Sequence, residues 1–292
     1  MNHPSFLTPR LTGTLLLALG MTFSTPAAAE NDSIPAKKDK PHLTLGGYGE
    51  VVFSRNFYSD NIYRYQNPAK YRNDPSHGRF DIPHVAIPLE YSFGKGWRLG
   101  SEIEFEHGGT GGAYEQEYFE GGEWEQETER GGEVEMEQFW IEKTFFPWLN
   151  VRAGHIVVPV GYTNARHEPL NFFTVYRPEG EATVLPCTWH QTGISFWGRT
   201  KHWRYEVLCV QGLQADKFDD ANWIKDGHKN AFEFGRSTQY AGAFRVDNYS
   251  VPGLRMAVSG YYGGSTRHAT KNGRYGTAKG GVGTGSLVCT YK

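Results

Sequence analysis

The chain has 292 residues, with 30 Lys plus Arg against 32 Asp plus Glu, so its net charge of −2 points to no nucleic-acid partner. Aromatic residues make up 15% and there are 36 glycines, a composition that suits twisted strands and tight turns better than helices. Cys187, Cys209 and Cys289 form no recurrent spacing, which excludes a cysteine-stapled scaffold or a cysteine metal site.

Residues 1–29 read as an export signal: Arg10 supplies the positive end, LTGTLLLALGM the apolar run, and Ala27-Ala28-Ala29 the small-residue cleavage site. Residues 30–42 are a polar linker, and residues 43–292 are expected to form one all-β domain. In its first predicted strand Leu43, Leu45, Val51 and Phe53 share one face, with Thr44, Tyr48 and Glu50 on the other. A second strand ends at Phe93, with Val85, Ile87, Leu89, Tyr91 and Phe93 opposite His84, Glu90 and Ser92. Pro83 and Pro88 sit awkwardly there, since each removes a ladder donor.

After a Gly94-Lys95-Gly96 turn comes the cleanest alternation in the chain: Trp97, Leu99, Ile103 and Phe105 against Arg98, Glu102, Glu104 and Glu106. Residues 108–132 form a long Gly- and Glu-rich loop, and Glu115 to Glu137 hold ten Glu against one Arg. That loop attracts cations generally, but nothing in it resembles a calcium loop. Two strands then meet at Phe146-Pro147-Trp148; in the second, Leu149, Val151 and Ala153 oppose Asn150, Arg152 and Gly154.

Residues 160–187 follow without helical or strand period, and excursions of that length are usually functional. A hairpin runs from Trp189 to Gly212, its polar face carrying Gln191, Ser195, Arg204 and Glu206. Beyond a polar loop at 214–236, two more strands place Tyr240, Phe244, Val246, Leu254, Met256, Val258 and Tyr262 on one face. Arg245, Asp247, Arg255, Ser259 and Tyr261 take the other. The final residues begin another strand, so closure of any barrel is expected to need residues beyond Lys292.

No stretch after the signal approaches the roughly 18 apolar residues of a spanning helix. Alternating strands, long loops at one end of the hairpins, tight turns at the other, and Tyr91, Phe93, Trp97, Phe145 and Trp148 beside those turns are the pattern of a transmembrane antiparallel β-barrel. Within the central third, LNVRAG, VPVG, RHEP at Arg166, RPE at Arg177 and LPCTWHQTG resemble the outer-membrane porins of the phosphate-selective (O/P-type) porin family. The resemblance implies a water-filled channel in the bacterial outer membrane, contact with its lipid, a homotrimer, and passive diffusion of small hydrophilic solutes or ions with no cofactor and no chemical step. It makes the excursion a constriction loop, with Arg166, His167, Glu168, Arg177, Glu179 and Glu181 lining or bracing the eyelet.

Phosphate selectivity needs several converging cationic donors. Here the polar wall face offers Arg98, Arg152, Arg204, Arg245 and Arg255, but also Glu50, Glu90, Glu102, Glu104, Glu106 and Glu206, so a general or weakly selective pore is expected.

An enzyme reading rests on the carboxylate pairs Glu102 with Glu104 and Glu104 with Glu106, about 7 Å apart on a strand face. Such pairs arise by chance on a Glu-rich face, HEPLN lacks the second His of a zinc-protease motif, and no catalytic serine elbow is present. A non-channel, carbohydrate-binding β-protein is the alternative, with Trp97, Trp124, Trp140 and Trp148 available to stack on sugars.

Overall fold

The computed structural model describes residues 40–55, 59, 67–109, 114–115, 129–130, 132–172, 177–219, 222–228, 239–267 and 279–291. The expected export signal, the expected linker as far as residue 39 and most of the acidic loop, with Trp124, lie outside these residues.

The described residues form fifteen strands, in order β1 (His42–Leu45), β2 (Tyr48–Gly49), β3 (Val52–Arg55), β4 (Gly78–Asp81), β5 (His84–Gly94), β6 (Trp97–Glu106), β7 (Tyr114–Glu115), β8 (Glu129–Arg130), β9 (Glu133–Phe146), β10 (Leu149–Val157), β11 (His190–Arg199), β12 (Trp203–Gln211), β13 (Tyr240–Asn248), β14 (Leu254–Gly264) and β15 (Gly281–Tyr291). Two one-turn helices, α1 (Pro68–Tyr71) and α2 (Glu179–Ala182), and short 3₁₀ turns occupy the connections. The fold is all-β: one antiparallel sheet in the order β1-β5-β6-β9-β10-β11-β12-β13-β14-β15, with β2 also on β5 and separate ribbons β3-β4 and β7-β8. Among the described residues no ladder joins β1 to β15, so the sheet is open at those two strands.

The predicted first strand is in fact three pieces, and the second is broken at Ile82-Pro83 so that β4 pairs with β3 instead of extending β5. Proline explains part of this. The Pro88 carbonyl accepts Gly46 N–H at 3.0 Å, so the edge of Pro88 that lacks a donor faces the same side, where the partner strand is interrupted at Gly46-Gly47 between β1 and β2. The missing hydrogen bond falls where no ladder bond is needed.

Tight turns at 95–96, 147–148, 200–202 and 249–253 close one end of the hairpins, while every long connection lies at the other end. The two faces of the sheet invert the usual order of soluble proteins. On β13 and β14, Tyr240, Phe244, Met256, Val258 and Tyr262 are exposed, whereas Arg245 is 1% and Asp247 0% exposed. Cross-strand register extends the apolar face, because Phe196 opposes Val207 and Val207 opposes Phe244 across β11, β12 and β13.

The polar face is covered by the excursion between β10 and β11. It touches β9 through His167, 3.6 Å from Glu137, and β14 through Gly161 N–H, 3.2 Å from the Ser259 hydroxyl. Those strands are five ladder steps apart, about 24 Å along the sheet at 4.7–4.9 Å per step. Gly161 to His167 spans at most about 20 Å even fully extended, and less with the 3₁₀ turn at Asn164–Arg166. The side chains of Glu137 and His167 bridge the remainder, so the excursion reaches across the sheet from β9 to β14. A small apolar core of Ile156, Val158, Val160, Leu185, Trp189, Leu208, Val210, Leu213 and Tyr261 is sealed beneath it.

Candidate functional site

Near the tight-turn end, the covered face carries a belt of alternating charge. Register sets Glu142 on β9 directly between Arg98 on β6 and Arg152 on β10. The fully buried Glu142 carboxylate accepts from Arg98, from Arg152 Nε at 2.8 Å and from Trp197 Nε1 at 2.8 Å. Arg98 also reaches Glu90 at 3.2 Å. The belt continues through Arg204 and Glu206 at 2.9 Å, with Ser195 donating to Glu206 at 2.6 Å, to Asp247, shared by Arg245 and Arg255. Buried pairs of this kind hold only because each charge meets an opposite charge and a donor or acceptor besides.

Trp140 lies in this layer, under the Arg152 guanidinium at 4.2 Å from the ring centroid. It sits over Gly100, where any Cβ would come within 2.2 Å of the indole, so only glycine leaves room for the ring. The Trp140 indole is buried and not available to stack on a sugar; Trp97 and Trp148 are exposed beside the tight turns.

The excursion is fixed by its own chemistry. It leaves and returns on one rung: Val157 pairs with His190, and Val158 N–H donates to Trp189 C=O at 2.9 Å. Buried Asn164 spans this neck, donating to Val158 C=O at 2.7 Å and accepting Trp189 N–H at 2.6 Å. Glu181, on α2, accepts the N–H groups of Tyr162, Thr163 and Asn164 at 2.6, 3.1 and 3.0 Å. Gly161, with φ of +89°, allows that approach, since a Cβ there would lie 2.2 Å from the Glu181 carboxylate. Arg245 completes the anchorage by donating to Pro159 C=O at 3.3 Å and Gly161 C=O at 2.7 Å.

Toward the long-connection end lies a second layer of carboxylates and imidazoles. Gln138 donates to Glu102 at 2.6 Å, His84 bonds Glu104 at 2.9 Å, and His155 bonds the Thr192 hydroxyl at 3.3 Å. His167, from the excursion, sits between Glu137 on β9 and His190 on β11, its ring centroid 5.4 Å from that of His190. Burial opposes charge on His167, but the Glu137 carboxylate outweighs it and pushes the imidazole pKa up to about 10. Nearby, burial raises the Cys187 thiol against the pull of Arg177.

A register irregularity in the β6–β9 ladder turns Glu137 inward. Its trace in the sequence is the change of phase from Val134 and Met136 to Phe139 and Ile141, all four exposed.

The chain is 30% identical over 226 residues to an uncharacterized protein of Aquifex aeolicus (strain VF5), a match covering 76% of this chain and 45% of that protein. The chain thus spans about half the length of the curated relative it matches. No family model matches it.

Of the residues expected to line or brace a constriction, Arg98, Arg152, Arg204, Glu206, Arg245 and Arg255 fall in the charge belt. Glu102, Glu104 and His167 fall in the second layer. Arg177 donates to the Thr188 hydroxyl at 2.8 Å, and Glu168 accepts from Asn171 at 2.7 Å, so both brace the excursion from within. Arg166 is half-buried at the end of a 3₁₀ turn, and the side chain of Glu179 lies outside the described residues. Sequence reasoning missed Glu137, Glu142, Asn164, His155 and His190 as site residues. His190 stood within LPCTWHQTG, and Glu142 stood two residues after Trp140 on the same face as Arg98 and Arg152.

Proposed function

We propose that this chain forms the wall and constriction of an outer-membrane porin, a barrel through which ions and small hydrophilic solutes diffuse passively. The observation that carries the reading is the inverted sheet: apolar side chains face outward in contiguous cross-strand rows while Arg245, Asp247, Glu142 and Glu206 are buried on the other face. Soluble monomers rarely expose apolar patches beyond a few hundred Å². A lipid-facing strand, by contrast, alternates in this sense, with Phe93, Trp97, Phe145, Phe146, Trp148 and Trp203 exposed beside the tight turns as an interfacial girdle.

The excursion is the constriction element of this proposal, and the charge belt its electrostatic filter. Transport needs no bond-making step: the fixed charges bias which ions enter, and the covered face sets the width. Because the belt interleaves arginines with carboxylates already paired to them, it favours a weakly selective pore over one that desolvates phosphate. Resemblance to the phosphate-selective (O/P-type) porin family supports the same reading and adds the expectation of a trimer in the outer membrane.

The test uses the native protein from purified outer membranes. A closed barrel resists dodecyl sulfate until heated, so unboiled and boiled samples should migrate differently on a gel, and the unboiled species should give stepwise conductance in planar bilayers. A protein that stays monodisperse without detergent and gives no conductance would refute the proposal.

A further inference from the structure

We propose that Glu137, His167 and His190 form a site for a divalent transition-metal ion that staples the excursion to the sheet. The three residues come from β9, the excursion and β11, and each offers a ligand atom within 4.8 Å of the other two. Their exposures are 2, 6 and 5%, so all are more than nine-tenths buried.

His167 Nδ1 and His190 Nε2 have no hydrogen-bond partner, and Glu137 Oε2 and His167 Nε2 meet only as an ion pair at 3.6 Å, beyond hydrogen-bond distance. A buried polar atom left unsatisfied carries a desolvation penalty, and buried groups in folded proteins are almost always paired. One cation would take a ligand atom from each of the three side chains, one ring nitrogen of His167 among them.

The donor set selects the class of ion. Two imidazoles and one carboxylate suit zinc or another first-row divalent metal, whereas calcium and magnesium take oxygen ligands. Around tetrahedral zinc, with bonds of about 2.0–2.1 Å, ligand atoms lie about 3.3 Å apart. The 3.6 Å between Glu137 Oε2 and His167 Nε2 is already close to that spacing, and the His190 ligand atom lies within 4.8 Å of both. Three protein ligands leave a fourth position to water.

The neighbouring group of His84, Glu104 and Glu106 makes a useful contrast: His84 Nδ1 is already bonded to Glu104 at 2.9 Å, and Glu106 is partly exposed. It lacks the orphaned atoms that argue for an ion. The metal proposal stands on side-chain geometry alone and does not depend on the channel reading.

The experiment strips the full, detergent-solubilised protein with a chelator, then adds ZnCl₂ or CoCl₂. Metal content is read by mass spectrometry after gel filtration, the ligand set by the visible absorption of Co²⁺, and the staple by tryptic cleavage at Arg166. The expected result is about one ion per chain, with affinity falling more than about 100-fold in His167→Gln and in His190→Ala. His84→Gln should bind as the parent does, and zinc should slow cleavage of the parent about tenfold or more. His167 lies in the excursion, outside any ladder, so His167→Gln keeps the test valid if His190→Ala does not fold. No bound ion in the parent, unchanged binding in His167→Gln, or binding lost only in His84→Gln would overturn the assignment.

Discussion

Replacing Glu181 with alanine removes the acceptor for three backbone N–H groups at the neck of the excursion, those of Tyr162, Thr163 and Asn164. Hydrogen bonds to a charged partner contribute roughly 1.5–3 kcal/mol each, and the lower figure suits a half-buried carboxylate that water partly replaces. Three of them come to about 4.5 kcal/mol, on the order of a thousandfold increase in opening of this segment, at about 1.4 kcal/mol per tenfold. Amide hydrogen exchange, read by mass spectrometry on peptides covering 160–170 in the intact protein, reports that opening equilibrium directly. Exchange there should accelerate about a thousandfold while peptides from β12 and β13 keep their protection. Acceleration of less than about tenfold would mean that Glu181 is not what holds the neck, and the argument from its three donors would fail.

Glu142→Ala leaves Arg98 and Arg152 without their shared carboxylate in a buried layer, and should cost about 3–5 kcal/mol in urea unfolding monitored by the loss of the heat-resistant gel form. Pro88→Ala should be almost silent, within about 0.5 kcal/mol by the same assay, because its donorless edge faces the break between β1 and β2. The double change Arg152→Gln with Arg204→Gln takes the belt from five arginines against four carboxylates to three against four. Its reversal potential in a salt gradient should move toward cations, and an unmoved potential would remove the belt from the conduction path. Charge inversion at Arg152 is a poorer probe, since a glutamate there would face buried Glu142 directly.

Alternation made the sides of β13 and β14 legible from the sequence, because period-two phase is a local property of the strand: Tyr240, Phe244, Met256, Val258 and Tyr262 lie on the exposed face, Arg245, Asp247 and Arg255 on the buried one. The long connections and tight turns were equally visible in Gly, Pro and polar runs. Two things were not. The division of residues 42–55 into β1, β2 and β3 depends on what Pro88 offers its partner, a property of the neighbouring strand. The meeting of Glu137, His167 and His190 depends on ladder register and on where the excursion lands, and the phase slip between Met136 and Phe139 was its only local sign.

The neck of the excursion has a consequence for how such a protein can vary. Its two ends meet as adjacent rungs, Val157 with His190 and Val158 with Trp189, so the intervening residues form a loop with a zipped base. Lengthening, shortening or exchanging that insert leaves the hydrogen-bond register of β10 and β11 untouched. The sheet residues that would notice include Arg245 and Ser259, through their bonds to Pro159 and Gly161, and Glu137, through His167. The sheet and the excursion are thus separable parts, and one can change without re-solving the fold of the other.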